Sequence, residues 1–282
     1  MSRGNRAKQG QETVGIVDRG WYESAGERVD IRTQVDRCVK STALHRPTDL
    51  QRQVEQLPPA PRQTPTVLRV SNETTLSAAR RMVCEEGKSK TLALNFASAK
   101  NPGGGFLGGS QAQEESLARS SALYASLLSQ PGYYDANRLF RSALYTDHMI
   151  LSPAVPVFRD DDGEFLRQPY LLSILTAPAP NAGAITVNSP HLNEQVMPTI
   201  KTRLHKLLAL AAVNGYEHLL LGAWGCGVFR NDPSAVAGLF AQALLNDEQF
   251  RNRFVSVEFA VLDTQPGEQI IGPFREAFGG GT

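Results

Sequence analysis

Two adjacent glutamates, Glu114 and Glu115, closely follow a run that holds five glycines in seven residues: Gly103, Gly104, Gly105, Gly108 and Gly109. Carboxylates can move protons. A glycine-rich backbone can approach a ligand closely and turn its N–H groups toward a phosphate. The two features conflict in charge, and the conflict is informative. Near a bound pyrophosphate the charged form of a carboxylate is disfavoured, so its pKa rises, and a raised pKa suits a general acid. The spacing therefore points to a pyrophosphate held by glycine N–H groups, with a glutamate acting on the sugar attached to it. Neighbouring helical positions point about 100° apart and do not face each other. The pair thus cannot straddle a glycosidic bond as a two-carboxylate site does, at roughly 5–9 Å. One glutamate is expected to do the proton work and the other to bind or orient.

Plainer accounts exist. Acidic residues in a helix's first turn favour the helix dipole by about 0.3–1 kcal/mol, and a glycine run can be a mere connector. Gly103, Gly105 and Gly108 also satisfy G-x-G-x-x-G. However, five residues (98–102) separate them from the preceding strand, and no acidic residue ends a strand about twenty positions on. The "EEGKSK" of 85–90 has Met82 where a P-loop needs its first glycine, and it precedes a strand instead of opening a helix.

Such residues need a scaffold, and the chain alternates strand and helix patterns from residue 66 on. Strands are expected at 66–70, 91–97, 171–180, 217–224 and 254–262. Helices are expected from a cap at Ser71 or Asn72 to Glu86 (with Gly87 ending it), over 114–128, over 192–213, from Asp232-Pro233 to about 245, and briefly at the end. The stretch 149–167 reads as an extended excursion with a turn at "DDDGE". This is an α/β layered pattern. In such sheets ligands collect beyond the carboxyl ends of the strands, where both glycine loops, 103–109 and 225–227, fall. Residues 1–20 read as disordered. A helical face of Ile31, Val35, Cys38, Val39 and Thr42 follows, and four prolines within 57–65 break the chain. The expected division is an extension over 1–60, partly disordered and then helical, packing on a main domain over 61–282.

The totals exclude several classes. Lys+Arg is 29 against Asp+Glu 28, so no global charge calls for nucleic acid or a membrane surface. No stretch reaches the ~18 apolar residues of a membrane span, and the first residues lack a signal peptide's apolar core. Cys38, Cys84 and Cys226 show neither metal spacing nor a disulfide framework. No metal and no cofactor are expected, and the cytoplasm is the expected location. Cys226 suits a tight loop between two glycines. Trp224 reads as packing, and His191 and His205 as surface or cap residues.

"NPGGG" followed by "QEE" (Asn101–Gly105, Gln113–Glu115) resembles the signature of poly(ADP-ribose) glycohydrolases. "VSNETTLSAAR" (70–80), "SPAVPVFRD" (152–160), "TAPAPN" (176–181) and "GAWGCGVFRNDP" (222–233) resemble the bacterial-type branch of that family, and the likeness covers about residues 15–278. It implies a three-layer α/β/α macrodomain-like fold with a central mixed sheet, here with an N-terminal helical extension. It implies hydrolysis of ribose–ribose O-glycosidic bonds in poly(ADP-ribose) on ADP-ribosylated proteins, with release of ADP-ribose. A monomer without direct DNA or RNA binding is expected. By the same resemblance Glu115 is the catalytic acid/base and Glu114 binds the neighbouring sugar. Asn101 orients the terminal ribose, and Gly103, Gly104 and Gly105 run along the pyrophosphate. Gly225, Cys226, Gly227 and Val228 form a second phosphate loop, and Phe229 packs on the terminal ribose. Gln113 and the corner Asn72, Glu73 and Thr74 are candidates for the adenosine end. Two rival functions remain, a non-catalytic ADP-ribose reader and a hydrolase of single ADP-ribose units on proteins. A reader needs the glycines but has no use for Glu115.

Overall fold

The computed structural model describes residues 1–60 and 64–279. In chain order the elements are α1 (Arg3–Arg19), β1 (Trp21–Ser24), β2 (Glu27–Asp30), α2 (Arg32–Ser41), β3 (Ala43–His45), α3 (Pro47–Gln56), β4 (Val67–Ser71), α4 (Thr75–Arg80), β5 (Thr91–Phe96), α5 (Gln113–Ser120), α6 (Leu123–Leu128), α7 (Pro131–Phe140), β6 (Met149–Arg159), β7 (Phe165–Ala177), α8 (Ala182–Asn188), α9 (Val196–Val213), β8 (His218–Leu221), α10 (Pro233–Ala241), β9 (Ser256–Ala260) and α11 (Ile271–Phe278). Seven strands form one mixed sheet in the order β3-β6-β7-β5-β8-β9-β4. The contacts β7-β5-β8-β9-β4 are parallel, and β6 is antiparallel to both β3 and β7.

Strand β5 shows why the layers form. Its first five residues are buried, as expected of a strand covered on both faces. Leu92 and Leu94 point into a core built with Leu50 of α3, Leu204, Leu207 and Leu208 of α9, Phe240 of α10 and Phe274 of α11. Ala93 points the other way, into a core with Ile16 of α1, Val35 and Cys38 of α2, Met82 beyond α4, Leu117 of α5 and Leu123 of α6. Helices thus cover both faces of the sheet, which gives the three-layer α/β/α arrangement.

Residues 1–20 are not disordered. They form α1, capped by the Ser2 hydroxyl accepting from the Asn5 N–H at 3.2 Å and closed by Gly20 at φ 77°. The helix buries only Gly10, Thr13, Ile16 and Val17, and that narrow, partly polar stripe explains why hydropathy missed it. The segment before residue 60 also supplies β3 to the sheet edge. Other differences are local. The cap of α4 is Thr74, two or three residues later than expected, and a wider helical turn carries the chain to Glu85. The helix expected over 114–128 breaks at Ser121, whose backbone is extended and bridges to Val157 of β6. The hairpin β1–β2 and helices α7 and α8 were not anticipated.

Candidate active site

A cleft of about 910 Å³ opens at the carboxyl ends of β5, β8 and β9, where Phe96, Trp224 and Ala260 line it. The start of α5 is fastened to β5 by Gln113. Its Oε1 accepts from the Phe96 N–H at 2.9 Å, and its Nε2 donates to Leu94 O at 2.7 Å and Thr75 Oγ1 at 3.2 Å. The amide thus continues the strand's hydrogen bonding, and Gln113 also lines the cleft.

This anchoring drives Glu114 inward and leaves Glu115 half-buried at the cleft. Glu114 is 2% exposed. Its Oε2 accepts from the Ser98 N–H at 2.7 Å, and its Oε1 from Asn95 Nδ2 at 3.2 Å. Burial pushes its carboxyl up to about 8, helped by the Glu115 charge and opposed by the hydrogen bonds from Ser98, Asn95 and the Gly103 backbone. The two glutamates therefore differ sharply in environment despite their adjacency.

The glycine loop faces these carboxylates. The Gly104 N–H donates to Asn101 O at 3.0 Å, and the Gly105 N–H donates to Glu115 Oε1 at 3.0 Å; the Gly103 backbone lies close enough to Glu114 to favour its charged form. Gly103 and Gly104 stand at φ 65° and 60°, a region that favours glycine. A Cβ on Gly104 would lie 2.4 Å from Glu115 Oε1 and 3.2 Å from Glu114 Oε2. The N–H groups of Gly104 and Gly105 are thus engaged within the protein, that of Gly105 by the Glu115 carboxylate itself.

The second loop is different. Among the described residues, the N–H groups of Gly225, Gly227, Val228 and Phe229 have no acceptor, and all four residues line the cleft. Consecutive free N–H groups of this kind make an anion-binding nest. Asn231 holds the turn, donating through Nδ2 to Pro180 O at 2.9 Å and Gly225 O at 3.1 Å. Cys226 points away from the cleft, and burial pushes its thiol up to about 12, so it is no nucleophile. Trp224 is fully buried and donates from Nε1 to Ala177 O at 3.2 Å. The Phe229 ring lies 6.0 Å from that of Tyr145.

Asn101 is exposed, lines the cleft, and has no side-chain hydrogen bond among the described residues, so its amide can meet a ligand. Of the other corner, Glu73 and Thr74 line the cleft, while Asn72 does not. Both functional atoms of Asn72 bond the Asp263 backbone at 2.9 Å, tying the end of β4 to the chain after β9. Glu73 is paired with Arg81 at 2.6 Å, and Thr74 donates to Asp161 Oδ2 at 2.6 Å. No cluster of three His, Cys, Asp or Glu residues among those described is placed to hold a metal.

Three residues at the site went unread. Asn95 was legible: a lone amide inside an apolar strand must answer to something polar. Ser98 acts through its backbone and leaves no sequence signal. Tyr145 lines the cleft at φ 58°, a strained conformation for a bulky residue. Its carbonyl is held by the buried Arg203, which is itself paired to Asp147 at 2.9 Å.

The chain is similar to known proteins over most of its length. Residues 10–160 match the family model of the microbial-type PARG catalytic domain. The poly(ADP-ribose) glycohydrolase (PARG) of Thermomonospora curvata is 46% identical, with a TM-score of 0.93 over 98% of this chain and 100% of that one. The same enzyme bound to the inhibitor ADP-HPD is 45% identical, with a TM-score of 0.90 over 98% and 100%. The Deinococcus radiodurans enzyme in complex with ADP-ribose is 48% identical, with a TM-score of 0.81 over 86% of this chain and 96% of that one. No curated protein matches at a significant level.

Proposed function

The chain belongs to the microbial-type poly(ADP-ribose) glycohydrolase family and is a poly(ADP-ribose) glycohydrolase, and from that premise we propose that a single glutamate, Glu115, does its proton work. The observation that carries the reading is the difference between the loops. The Gly105 N–H holds the Glu115 carboxylate, whereas the N–H groups of Gly225, Gly227, Val228 and Phe229 have no acceptor among the described residues and line the cleft. In this reading the second loop holds the pyrophosphate of the terminal ADP-ribose unit. Asn101 and the buried Glu114 orient its ribose, and Phe229 packs on that sugar. Glu73 and Thr74 face the adenosine end.

The scissile bond joins the anomeric carbon of that ribose to an oxygen of the next unit's ribose. Glu115 donates its proton to this oxygen as the C–O bond breaks and positive charge develops on the sugar. The resulting carboxylate then takes a proton from water as the water oxygen bonds to the anomeric carbon. ADP-ribose leaves, the polymer is one unit shorter, and Glu115 is protonated again. The Gly105 N–H fixes the carboxylate through this cycle, so the group needs little reorganisation.

The same reading has residues 61–282 carry the acid/base and the terminal-unit contacts, with 1–60 packed on them. The protein acts as a cytoplasmic monomer on polymer attached to proteins, without DNA or RNA. The near-neutral charge of +1 supports the last point. Incubation with automodified polymer, followed by chromatography, tests the function. Release of free ADP-ribose is expected. Tight binding without release would make the protein a reader, and removal of only the protein-linked unit would make it a mono-ADP-ribosyl hydrolase.

A further inference from the structure

Besides Glu115, the cleft is lined by Met1, Arg6, Gln9 and Arg119. There α1 crosses the far end of the glycine loop. Arg6 donates from Nε to Gly109 O at 2.8 Å and from Nη1 to Met1 O at 2.7 Å. Arg119 sits one helical turn beyond Glu115 on α5, and donates from Nη1 to Ser110 O at 2.7 Å and from Nη2 to Gln111 Oε1 and Ser116 Oγ, both at 3.2 Å. Both arginines line the cleft.

Their charges are unbalanced. Of the three arginines buried among the described residues, Arg159 is paired with Glu12 and Arg203 with Asp147, but Arg119 has no carboxylate in salt-bridge reach among them. Its electrostatic neighbours are Arg6, which opposes its charge together with burial, and Glu115, which favours it. Arg6 likewise has no ion pair, and its Nη2 has no acceptor among the described residues. Carbonyl acceptors alone could be met by neutral donors. Two guanidinium groups at a cleft with no carboxylate in salt-bridge reach of either among the described residues are costly unless an anion arrives, and the guanidinium fork suits phosphate oxygens.

We propose that Arg6 and Arg119 form an anion subsite for the pyrophosphate of the departing polymer unit, across Glu115 from the terminal unit. The departing unit is an adenosine whose ribose supplies the leaving oxygen and whose 5′ carbon carries a pyrophosphate, so a phosphate must lie one sugar ring from the scissile bond. The subsite rests on the reading of Glu115 as the acid/base, since that fixes where the bond is cut. It makes these arginines selective for polymer over any substrate whose leaving group has no phosphate.

The test compares two substrates, poly(ADP-ribose) and 4-nitrophenyl ADP-ribose. They share the terminal unit, and the second lacks the anionic leaving group. Arg6→Gln should lower kcat/KM on the polymer by at least about tenfold, as loss of a charge-assisted phosphate contact implies. It should change the nitrophenyl reaction by less than about twofold, and it should flatten the salt dependence of KM for polymer. Arg6→Lys should restore most of the loss, because it keeps the charge. Arg119→Gln should follow the same pattern wherever its melting curve shows it folded. Equal losses on both substrates would reduce the arginines to supports of the loop, and an undiminished polymer rate in Arg6→Gln would remove the subsite. Glu115→Gln on polymer is the separate control. Turnover retained there would sink the acid/base reading, while the substrate selectivity at Arg6 would still decide the subsite.

Discussion

Replacing Gly104 by alanine tests what the glycine loop holds. The added Cβ would lie 2.4 Å from Glu115 Oε1 and 2.9 Å from its Cδ. Ordinary contact requires the carboxylate to retreat by about 1 Å, which breaks its 3.0 Å bond from the Gly105 N–H. A misplacement of about 1 Å at a reacting group can cost about 10²-fold in rate. The left-handed backbone at φ 60° adds a penalty of about 1 kcal/mol to stability, or a fall in Tm of about 2 °C for a chain of this size. The expected result is a kcat on polymer lowered about 10²-fold, with ADP-ribose affinity by calorimetry within about threefold of the parent, because the free N–H groups lie on the other loop. A variant that loses ADP-ribose binding and activity in parallel would show that Gly103–Gly105 hold the phosphates after all. An unchanged kcat would show that this contact does not place Glu115.

The converse substitution is Gly227→Val, whose Cβ meets nothing within 4 Å in the protein and so projects into open space beside the nest; ADP-ribose affinity should fall steeply in calorimetry while the melting curve stays put. Glu115→Gln should retain ADP-ribose affinity and lose at least about 10² in turnover, the lower range for general acid–base catalysis. Dialysis against a chelator should leave the rate unchanged, as checked before and after adding divalent metals. The raised carboxyl of Glu114 predicts a pH dependence. Between its ordinary 4.5 and about 8 the native state keeps a proton that the unfolded chain has released. The difference in bound protons, unfolded minus native, is then negative, so stability falls as pH rises through this window. Denaturant titrations across it should show that fall, and Glu114→Gln should flatten it.

The layers were legible because central strands such as β5 and β8 are continuous apolar runs bounded by glycine, proline or charge. The nucleus of the site was legible too, since few reasons exist to place two carboxylates behind so many glycines. What could not be read is direction. Glycine permits a left-handed backbone, but its neighbours decide which way the N–H groups then point. Here the Gly105 N–H points at the Glu115 carboxylate. Polar residues beside a loop were equally ambiguous. Asn72 looked like a ligand contact, yet it bonds the backbone of Asp263, 191 positions away. Helix α1 escaped notice because its buried stripe includes a glycine and a threonine, chosen for close approach: a Cβ on Gly10 would stand 2.9 Å from Phe106 O.

The strand order also governs when a newly made chain becomes an enzyme. β4 is translated early but lies outside β9, and the hydrogen-bonded side chains of Ser71 and Glu258 are 187 positions apart. Parallel pairings that wait for distant sequence form slowly, so β4 leaves the ribosome long before its partner strand exists. Both glutamates likewise emerge well before the loop at 225–229. A nascent chain halted short of that loop holds its acid with nothing to present the substrate, and ribosome-bound chains of that length are expected to release no ADP-ribose from polymer. Competence arrives late in synthesis, with the strands that carry the phosphate loop.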